Sequence, residues 1–397
     1  MKKFASYGFH MYTEILFGKG SEAKTGKLIR KYGGGKVLLV YGGGSIKKSG
    51  LYDRVVKALN AEKIPFVEFG GVKPNPSLAY AKKGLELAQK EGVDFLLGVG
   101  GGSAIDTAKG IALGLANNGE IWKFYTGTKP GGMAPLGTIH TLSATGTENS
   151  RSSVLVEDGK KEKNGFLWDC ARPVFAIMNP CLTFTVNAWQ TGAGSVDIFA
   201  HTFMRYFMKG ACALADELGE GVLRAVVKYG PVAVREPDNY EARAELMIAG
   251  SFAHNDVTGI GRAGPMAGEH PLEAQLSGYY DTTHGAGLAV VMPALLQYFV
   301  NHGSAEQIAR AAQFAIKVFG VTADLADPPG TANEGIRRFK AWLRELGMPL
   351  TLKALGVPKK DLAAVIKRCL DNNGGKVAGY MDLDKKAVTE IFTSIVE

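Results

Sequence analysis

Four residues in the second half of the chain have side chains that suit a divalent metal ion. Asp197 and His201 are four residues apart in a predicted helix, so both side chains lie on one face. His270 and His284 follow 14 residues apart, and the chain has only 7 histidines. One carboxylate with three imidazoles suits Fe²⁺ or Zn²⁺ better than Mg²⁺ or Ca²⁺. On spacing alone, a capping or surface contact between Asp197 and His201 remains an alternative.

A glycine-rich turn in the first half could hold a phosphate group. Gly100, Gly101, Gly102 and Ser103 leave a predicted strand and enter a predicted helix, which Ser103 is expected to cap. Glycines let the backbone approach a pyrophosphate, and a helix N-terminus offers free N–H groups and partial positive charge. The turn is neither the GxGxxG fingerprint nor a P-loop. A purely structural turn is the alternative, but three consecutive glycines are costly to order and favour a ligand.

A second glycine cluster consists of Gly42, Gly43, Gly44 and Ser45. Dinucleotide-binding folds often place an acid at this point to hold the adenosine ribose. No acid occupies Gly42, and Ser45 is followed by Lys47 and Lys48, so a 2′-phosphate would be tolerated. The cluster therefore slightly favours NADP over NAD, with a bare loop as the alternative.

A hydroxyl-rich stretch runs over residues 138–148 and includes Thr141, Leu142 and Thr145. Hydroxyl and exposed N–H groups can hold a ribose or a nicotinamide carboxamide. Taken alone, such a stretch is most often a loop.

The elements that position these residues change character near residue 185. Before it, short apolar runs alternate with amphipathic stretches, which predicts an α/β domain with a doubly wound parallel sheet over residues 1–185. After it, long amphipathic segments predict an all-helical domain over residues 186–397. The predicted strands are 36–41, 66–69 and 95–99, and the predicted helices are 51–60, 76–91, 103–116, 196–208, 218–234, 241–253, 305–319, 334–346 and 360–372.

Composition favours a cytoplasmic globular protein. The 397 residues are 46% hydrophobic and 21% charged, and no apolar run approaches the roughly 18–20 residues that a membrane span needs. The 4 cysteines form no CxxC pair, which fits a reducing compartment. Polar residues at 10–14 interrupt any signal-peptide core. The net charge of +8 comes from scattered basic residues, which indicates a solvated surface rather than nucleic-acid binding.

In combination, these motifs resemble the iron-containing (group III) alcohol dehydrogenases, and most closely their butanol-dehydrogenase branch. The likeness extends from Ile15-Leu-Phe-Gly18 to Leu346-Gly-Met-Pro349 and includes the 100–106 turn, Thr145-Gly-Thr-Glu148 and 281–287. It implies a dinucleotide-binding domain, a helical metal-binding domain and the NAD(P)-dependent interconversion of a short-chain aldehyde and its alcohol. It also implies a homodimer or larger assembly.

The resemblance assigns roles by position. It implies that Asp197, His201, His270 and His284 are the metal ligands, that Gly100–Ser103 bind the pyrophosphate and that Asp106 is a cofactor-binding residue. It also implies that Thr141, Leu142 and Thr145 line the cofactor and that Lys163 reaches the nicotinamide ribose.

Three positions depart from the family pattern. Ala274 replaces a histidine that borders the substrate and is thought to relay a proton, Ala267 replaces a tryptophan, and Asn179 replaces an aspartate. The loss at Ala274 opens room in the pocket. With the basic net charge, it motivates the hypothesis of an anionic aldehyde, bearing a sulfonate or carboxylate, held by Arg262 or Arg337.

Two other functional classes compete with this interpretation. One is a dehydroquinate-synthase-like lyase that uses a metal and a dinucleotide, but that group uses a glutamate with two histidines. The other is a non-catalytic binder, motivated by Ala274, which the intact ligand set argues against.

Overall fold

The computed structural model describes residues 5–159 and 162–397, which divide into two compact units. Residues 10–186 and 238–255 form the sheet unit. Residues 187–237 and 256–397, with the described N-terminal residues up to Phe9, form the helical unit. Among the described residues, no helix is both long enough and apolar enough to cross a membrane.

The sheet unit contains a six-stranded sheet in which every neighbouring pair is parallel. The strands are β1 (Glu14–Phe17), β2 (Val37–Gly42), β3 (Phe66–Val72), β4 (Phe95–Gly100), β5 (Leu136–His140) and β8 (Phe175–Met178). Their order is β1-β8-β5-β4-β2-β3. Because the strands are parallel, the turns after β2, β4 and β5 lie at one edge, where ligands of such folds bind.

Helices cover both faces of this sheet. Alternate residues of β2 enter different cores: Leu38 and Val40 on one face, and Val37 and Leu39 on the other. The first core includes α4 (Leu78–Lys90), α5 (Gly102–Ala116) and α6 (Trp122–Tyr125), and the second includes α1 (Thr25–Lys31), α2 (Ser45–Lys48) and α3 (Leu51–Ala61). A strand buried on both faces reads as a continuous apolar run. The predicted doubly wound α/β class is confirmed.

Two further elements complete the sheet unit. An antiparallel hairpin joins β6 (Ser152–Glu157) to β7 (Glu162–Leu167). Helix α9 (Tyr240–His254) comes from the second half of the chain. Met247 of α9 packs against Ala176 and Met178 of the sheet. Segment 238–255 therefore groups with the sheet unit, whereas the sequence analysis assigned it to the helical domain.

The helical unit is built around α7 (Ala188–Tyr206), whose residues from 191 to 206 are all buried. The other helices are α8 (Ala213–Arg235), α10 (Glu269–Tyr280), α11 (His284–His302), α12 (Ala305–Phe319), α13 (Pro328–Glu345), α14 (Leu352–Leu355), α15 (Leu362–Asn372) and α16 (Lys385–Thr393). Short strands β9 (Lys209–Gly210) and β10 (Arg262–Ala263) form an antiparallel pair.

Gly285 allows α11 to approach α7 closely. A Cβ atom at this position would lie 1.9 Å from the carbonyl oxygen of Ala193. Any side chain at position 285 would therefore push the two helices apart. It would also displace His284, the residue next to Gly285.

Candidate active site

The structure brings the four predicted metal ligands together in the helical unit. Ligand atoms of Asp197, His201 and His270 lie within 4.8 Å of one another. The Nε2 atoms of His201 and His284 are each 3.7 Å from Oδ1 of Asp197. Ligands at about 2.1 Å from a common ion would be separated by distances slightly shorter than these. The four side chains therefore surround a space that suits one metal ion.

Three helices position these side chains. Asp197 and His201 occupy successive turns of α7, as their spacing predicts. His270 lies in the first turn of α10, and His284 is the first residue of α11. Arg205 fixes α7 at this level, because its Nη1 donates to the carbonyl oxygen of His201 at 2.7 Å and its Nη2 pairs with Asp256 at 3.0 Å.

Two buried glutamates, which the sequence analysis missed, orient two of the histidines. Nδ1 of His270 lies 2.9 Å from Glu269, and Nδ1 of His284 contacts Glu273. An ionised carboxylate only accepts, so each Nδ1 carries the proton and each Nε2 presents its lone pair to the ion. The sequence contained one signal for this arrangement: Glu273 follows His270 by three residues, which places both side chains on the same face of a helix.

The electrostatics of the cluster favour a cation. Burial alone would lower the pKa of His270, but the hydrogen bond to Glu269 and the nearby carboxylates of Asp197 and Glu273 raise that pKa overall. Nε2 of His270 is buried and has no hydrogen-bond partner among the residues that the structure describes. A buried imidazole nitrogen without a partner, in a field that stabilises positive charge, fits a metal ligand.

The glycine turn of the sheet unit forms an open helix N-terminus. The prediction that Ser103 caps the helix is wrong: α5 begins at Gly102, Gly101 is the N-cap, and no side chain in the described part of the chain caps the first turn. The first N–H groups therefore donate to no capping side chain, which suits a ligand phosphate.

The predicted cofactor residues meet at this turn. A Cβ atom on Gly101 would lie 3.1 Å from Leu142, and one on Gly102 would lie 2.7 Å from Thr145. The backbone N–H of Thr141 donates to the carbonyl oxygen of Gly100 at 3.0 Å. Glycine is needed here because these neighbours pack directly on the turn.

Asp106, which is predicted to bind the cofactor, makes its hydrogen bonds to other residues of the sheet unit. Its side chain is buried, with Oδ1 accepting from the Thr147 hydroxyl at 2.7 Å and Oδ2 accepting from the N–H of Val154 at 3.0 Å. Burial raises its pKa, while Lys109 and Lys163 oppose that shift. Asp106 therefore ties the hydroxyl-rich loop and the hairpin to α5. Lys163 lies in β7 opposite Val156, within electrostatic reach of Asp106.

Helix α9 supports the same loop, which sequence reasoning did not foresee. Nδ1 of His254 lies 2.6 Å from the carbonyl oxygen of Thr145 and donates to it, because a carbonyl only accepts. Nδ2 of Asn149 donates to the Ser251 hydroxyl at 3.0 Å. Gly146 has a φ of 61° and lies so close to α9 that a Cβ would be 2.5 Å from the Gly250 carbonyl oxygen.

The Gly42–Ser45 turn has an open surface and a charged neighbour. A Cβ on Gly43 or Gly44 would have no atom of the described residues within 4 Å, apart from its chain neighbours. Lys47, which was predicted to be available to a 2′-phosphate, instead pairs with Glu68 at 3.1 Å. The sequence has no acid at position 42, but the fold brings Glu68 of β3 close to this turn.

The two arginines proposed for an anionic substrate are held by carboxylates. Arg262 is buried, pairs with Asp216 and donates to the carbonyl oxygen of Tyr206 at 3.1 Å. Arg337 is exposed and pairs with Glu334 one turn away at 2.7 Å. The structure thus gives neither arginine the open anion-binding position that was predicted. Ala274 lies half-buried in α10, one turn after His270.

Comparisons with known proteins cover almost the whole chain. A family model for iron-containing alcohol dehydrogenase matches residues 13–180. A second model, for the C-terminal part of the Fe-containing alcohol dehydrogenase family, matches residues 191–396.

Individual relatives agree with these matches. NADH-dependent butanol dehydrogenase A from Clostridium acetobutylicum is 38% identical over 390 residues, covering 98% of each chain. NADPH-dependent aldehyde reductase YqhD from Escherichia coli is 34% identical, covering 93% of this chain and 94% of that protein. The crystal structure of NADH-dependent butanol dehydrogenase A from Thermotoga maritima superposes with a TM-score of 0.93 at 36% identity, covering 100% of both chains.

Proposed function

Because the chain belongs to the iron-containing alcohol dehydrogenase family, we propose that it is a metal-dependent, NAD(P)H-linked reductase of short-chain aldehydes. The reaction is the interconversion of an aldehyde and its primary alcohol. One observation carries the proposal: Asp197, His201, His270 and His284 converge around one space, with buried glutamates behind two of the histidines.

The chain's own residues divide the work. Asp197, His201, His270 and His284 would hold Fe²⁺ or Zn²⁺, and the Gly100–Ser103 turn would bind the pyrophosphate of the nicotinamide cofactor. A divalent ion would polarise the aldehyde oxygen and stabilise the charge that develops there, while the nicotinamide supplies hydride. Glu269 and Glu273 would keep two imidazoles in the tautomer that binds metal.

The proton is supplied without an imidazole at position 274. A methyl group at Ala274 neither donates nor accepts a proton, so we assign the proton to water or to a ribose hydroxyl of the cofactor. The small side chain would also leave space beside His270 for the substrate.

The preferred substrate is a neutral aldehyde. Asp197, Glu269 and Glu273 place three carboxylates at the metal cluster, one more negative charge than a divalent ion would neutralise, which disfavours an anionic group on the substrate. The basic residues first considered for such a group, Arg262 and Arg337, already pair with carboxylates. The anionic preference considered from the sequence therefore has no support in the described side chains.

An aldehyde panel tests the proposal. Butanal, sulfoacetaldehyde and succinic semialdehyde are assayed with NADH and NADPH, using metal-replete and chelated protein. We expect the highest kcat/KM with butanal, loss of turnover on chelation, and recovery with Fe²⁺ or Zn²⁺. Turnover that survives complete metal removal refutes the metal-dependent mechanism, and a clear preference for either anionic aldehyde refutes the neutral-substrate assignment.

A further inference from the structure

A cluster of four side chains borders the turn after β2, and we call it the Glu68 cluster. Glu68 of β3 accepts hydrogen bonds from the hydroxyl groups of Tyr41, at 2.6 Å, and Tyr52, and pairs with Lys47 at 3.1 Å. The Lys47 ammonium also lies over the two tyrosine rings, 5.3 Å and 4.6 Å from their centroids. Glu68 therefore accepts from three donors, and Lys47 is held by Glu68 and by the two tyrosine rings. Both charged groups lie beside the Gly42–Ser45 turn.

The topology places this cluster where the adenosine ribose of a dinucleotide would lie. β2 is the direct neighbour of β4, and β4 leads into the Gly100–Ser103 turn. With the pyrophosphate at the end of one strand, the ribose of such folds lies over the end of the adjacent strand. The open surface at Gly43 and Gly44 leaves room for it.

The charges of the cluster decide between a ribose hydroxyl and a ribose phosphate. Hydrogen bonds from Tyr41 and Tyr52 hold the pKa of Glu68 at about 2, so the carboxylate is ionised at any working pH. Lys47 and Glu68 then cancel each other, and a 2′-phosphate would gain no net attraction. To reach a phosphate, Lys47 would have to leave Glu68 and expose its charge to a dianion. A neutral 2′-hydroxyl meets no such cost.

We propose that Glu68 is a specificity-determining residue that makes this protein prefer NADH to NADPH, because it retains Lys47. The inference rests on the proposed function only in requiring a nicotinamide dinucleotide at the glycine turn. It replaces the slight preference for NADP inferred from the sequence, which assumed a free Lys47.

The test measures dissociation constants of NADH and NADPH by fluorescence titration of the metal-loaded protein without aldehyde. We expect the native chain to bind NADH more tightly. Glu68→Gln should shift the ratio of the two constants toward NADPH about tenfold, the scale of removing one charge near a dianion at an exposed site. Lys47→Gln should shift the ratio the other way, because Glu68 then faces the phosphate unneutralised.

Glu14→Gln is a matched control. Glu14 accepts from Lys31 at 2.6 Å and from the Tyr32 hydroxyl at 2.8 Å, so it forms a similar lysine–tyrosine cluster, but on the edge strand β1. This variant changes the net charge equally and should leave the ratio unchanged. Each readout is the ratio of two dissociation constants measured on one protein sample. Partial unfolding of a variant lowers the binding of both nucleotides and leaves this ratio interpretable.

Three results would overturn the inference: a native preference for NADPH, a Glu68→Gln shift no larger than that of Glu14→Gln, or an unchanged ratio in Lys47→Gln. If neither nucleotide binds, the proposed function fails as well. If both bind but no aldehyde reacts, only the proposed function fails, and the ratios still decide the role of Glu68.

Discussion

Glu273→Gln tests whether the buried glutamates govern metal binding. In the native chain, Oε2 of Glu273 accepts from Nδ1 of His284 and from the Ser277 hydroxyl, the latter at 3.2 Å. Glutamine has nearly the same shape, and its amide oxygen can still accept a hydrogen bond, but it carries no charge. The substitution therefore weakens the hold on His284 without leaving a cavity.

The expected magnitude follows from the loss of charge in one hydrogen bond. Bonds to charged groups contribute about 1.5–3 kcal/mol, against about 0.5–1.5 kcal/mol for neutral pairs. A difference of roughly 1–1.5 kcal/mol corresponds to about a tenfold weaker metal affinity. A tenfold loss lies at the lower end of the range, about 10- to 100-fold, that is expected when a hydrogen-bond partner of a metal-binding histidine is changed.

The assay is competition for bound Zn²⁺ or Fe²⁺ with a chelator of known affinity, followed by metal analysis of the recovered protein. Gly287→Ala provides an independent route to the same effect. A Cβ at Gly287 of α11 would lie 2.5 Å from Oε1 of Glu273, so the carboxylate would have to move. Alanine favours a helix by about 1 kcal/mol over glycine, so metal retention should fall without a matching loss of thermal stability.

Glu220→Gln is the control for removing a buried charge. Glu220 is fully buried in the same unit and accepts from the Tyr206 hydroxyl at 2.8 Å and from Gln313 at 2.9 Å, away from the metal ligands. It should lower stability and leave metal affinity unchanged. Equal metal affinity in Glu273→Gln and Glu220→Gln would refute the reasoning, as would native retention in Gly287→Ala.

Other substitutions test separate parts of the site. Ala274→His places an imidazole one turn from a candidate metal ligand, and the rate of aldehyde reduction should gain a dependence on pH near 6.5 that the native chain lacks. His254→Leu removes the hydrogen bond to the hydroxyl-rich loop; steady-state kinetics should show about a fivefold higher KM for the cofactor and a smaller change in kcat, partly restored by His254→Asn. Glu68 has a pKa lowered to about 2 from 4.5, so it stabilises the fold above pH 4.5 and loses that effect as the pH falls toward 2. The difference in free energy of unfolding between native chain and Glu68→Gln, from urea titrations at several pH values, should shrink over that range. Arg337→Ala should leave kcat/KM for neutral and anionic aldehydes within about twofold, because this guanidinium pairs with a surface carboxylate.

The parts of the fold that the sequence predicted are those with a strong local pattern. The predicted helix over 305–319 has the bounds of α12, and the predicted strands at 36–41 and 95–99 overlap β2 and β4. In contrast, α11 was not predicted, because 14 of its residues are buried and no polar face marks its period. The edge strand β1 is only four residues long and gives too little pattern to recognise.

The types of the residues in the sequence were enough to predict the four side chains of the metal cluster. The residues that hold those side chains in place could not be predicted, because they make contacts that only the fold creates. Glu273 reaches His284 because Gly287 leaves room for its carboxylate. Likewise, Asn179, where the resemblance led us to expect an aspartate, contacts a residue far along the chain. Its Nδ2 donates to buried Glu22 at 2.8 Å, whereas an aspartate would set two carboxylates against each other.

Charge was the least reliable sequence signal, because a count of basic residues says nothing about which of them are already paired. Asp216 engages both Arg262 and Arg310, and Glu68 engages Lys47. The net charge of +8 therefore does not measure the positive charge available to a ligand. On the proposals made above, the carboxylates at the metal cluster would attract a cation and disfavour an anionic substrate, and the Glu68 cluster would disfavour a 2′-phosphate on the cofactor. At both places where a ligand would be recognised, the proposals are the opposite of what the composition alone suggested.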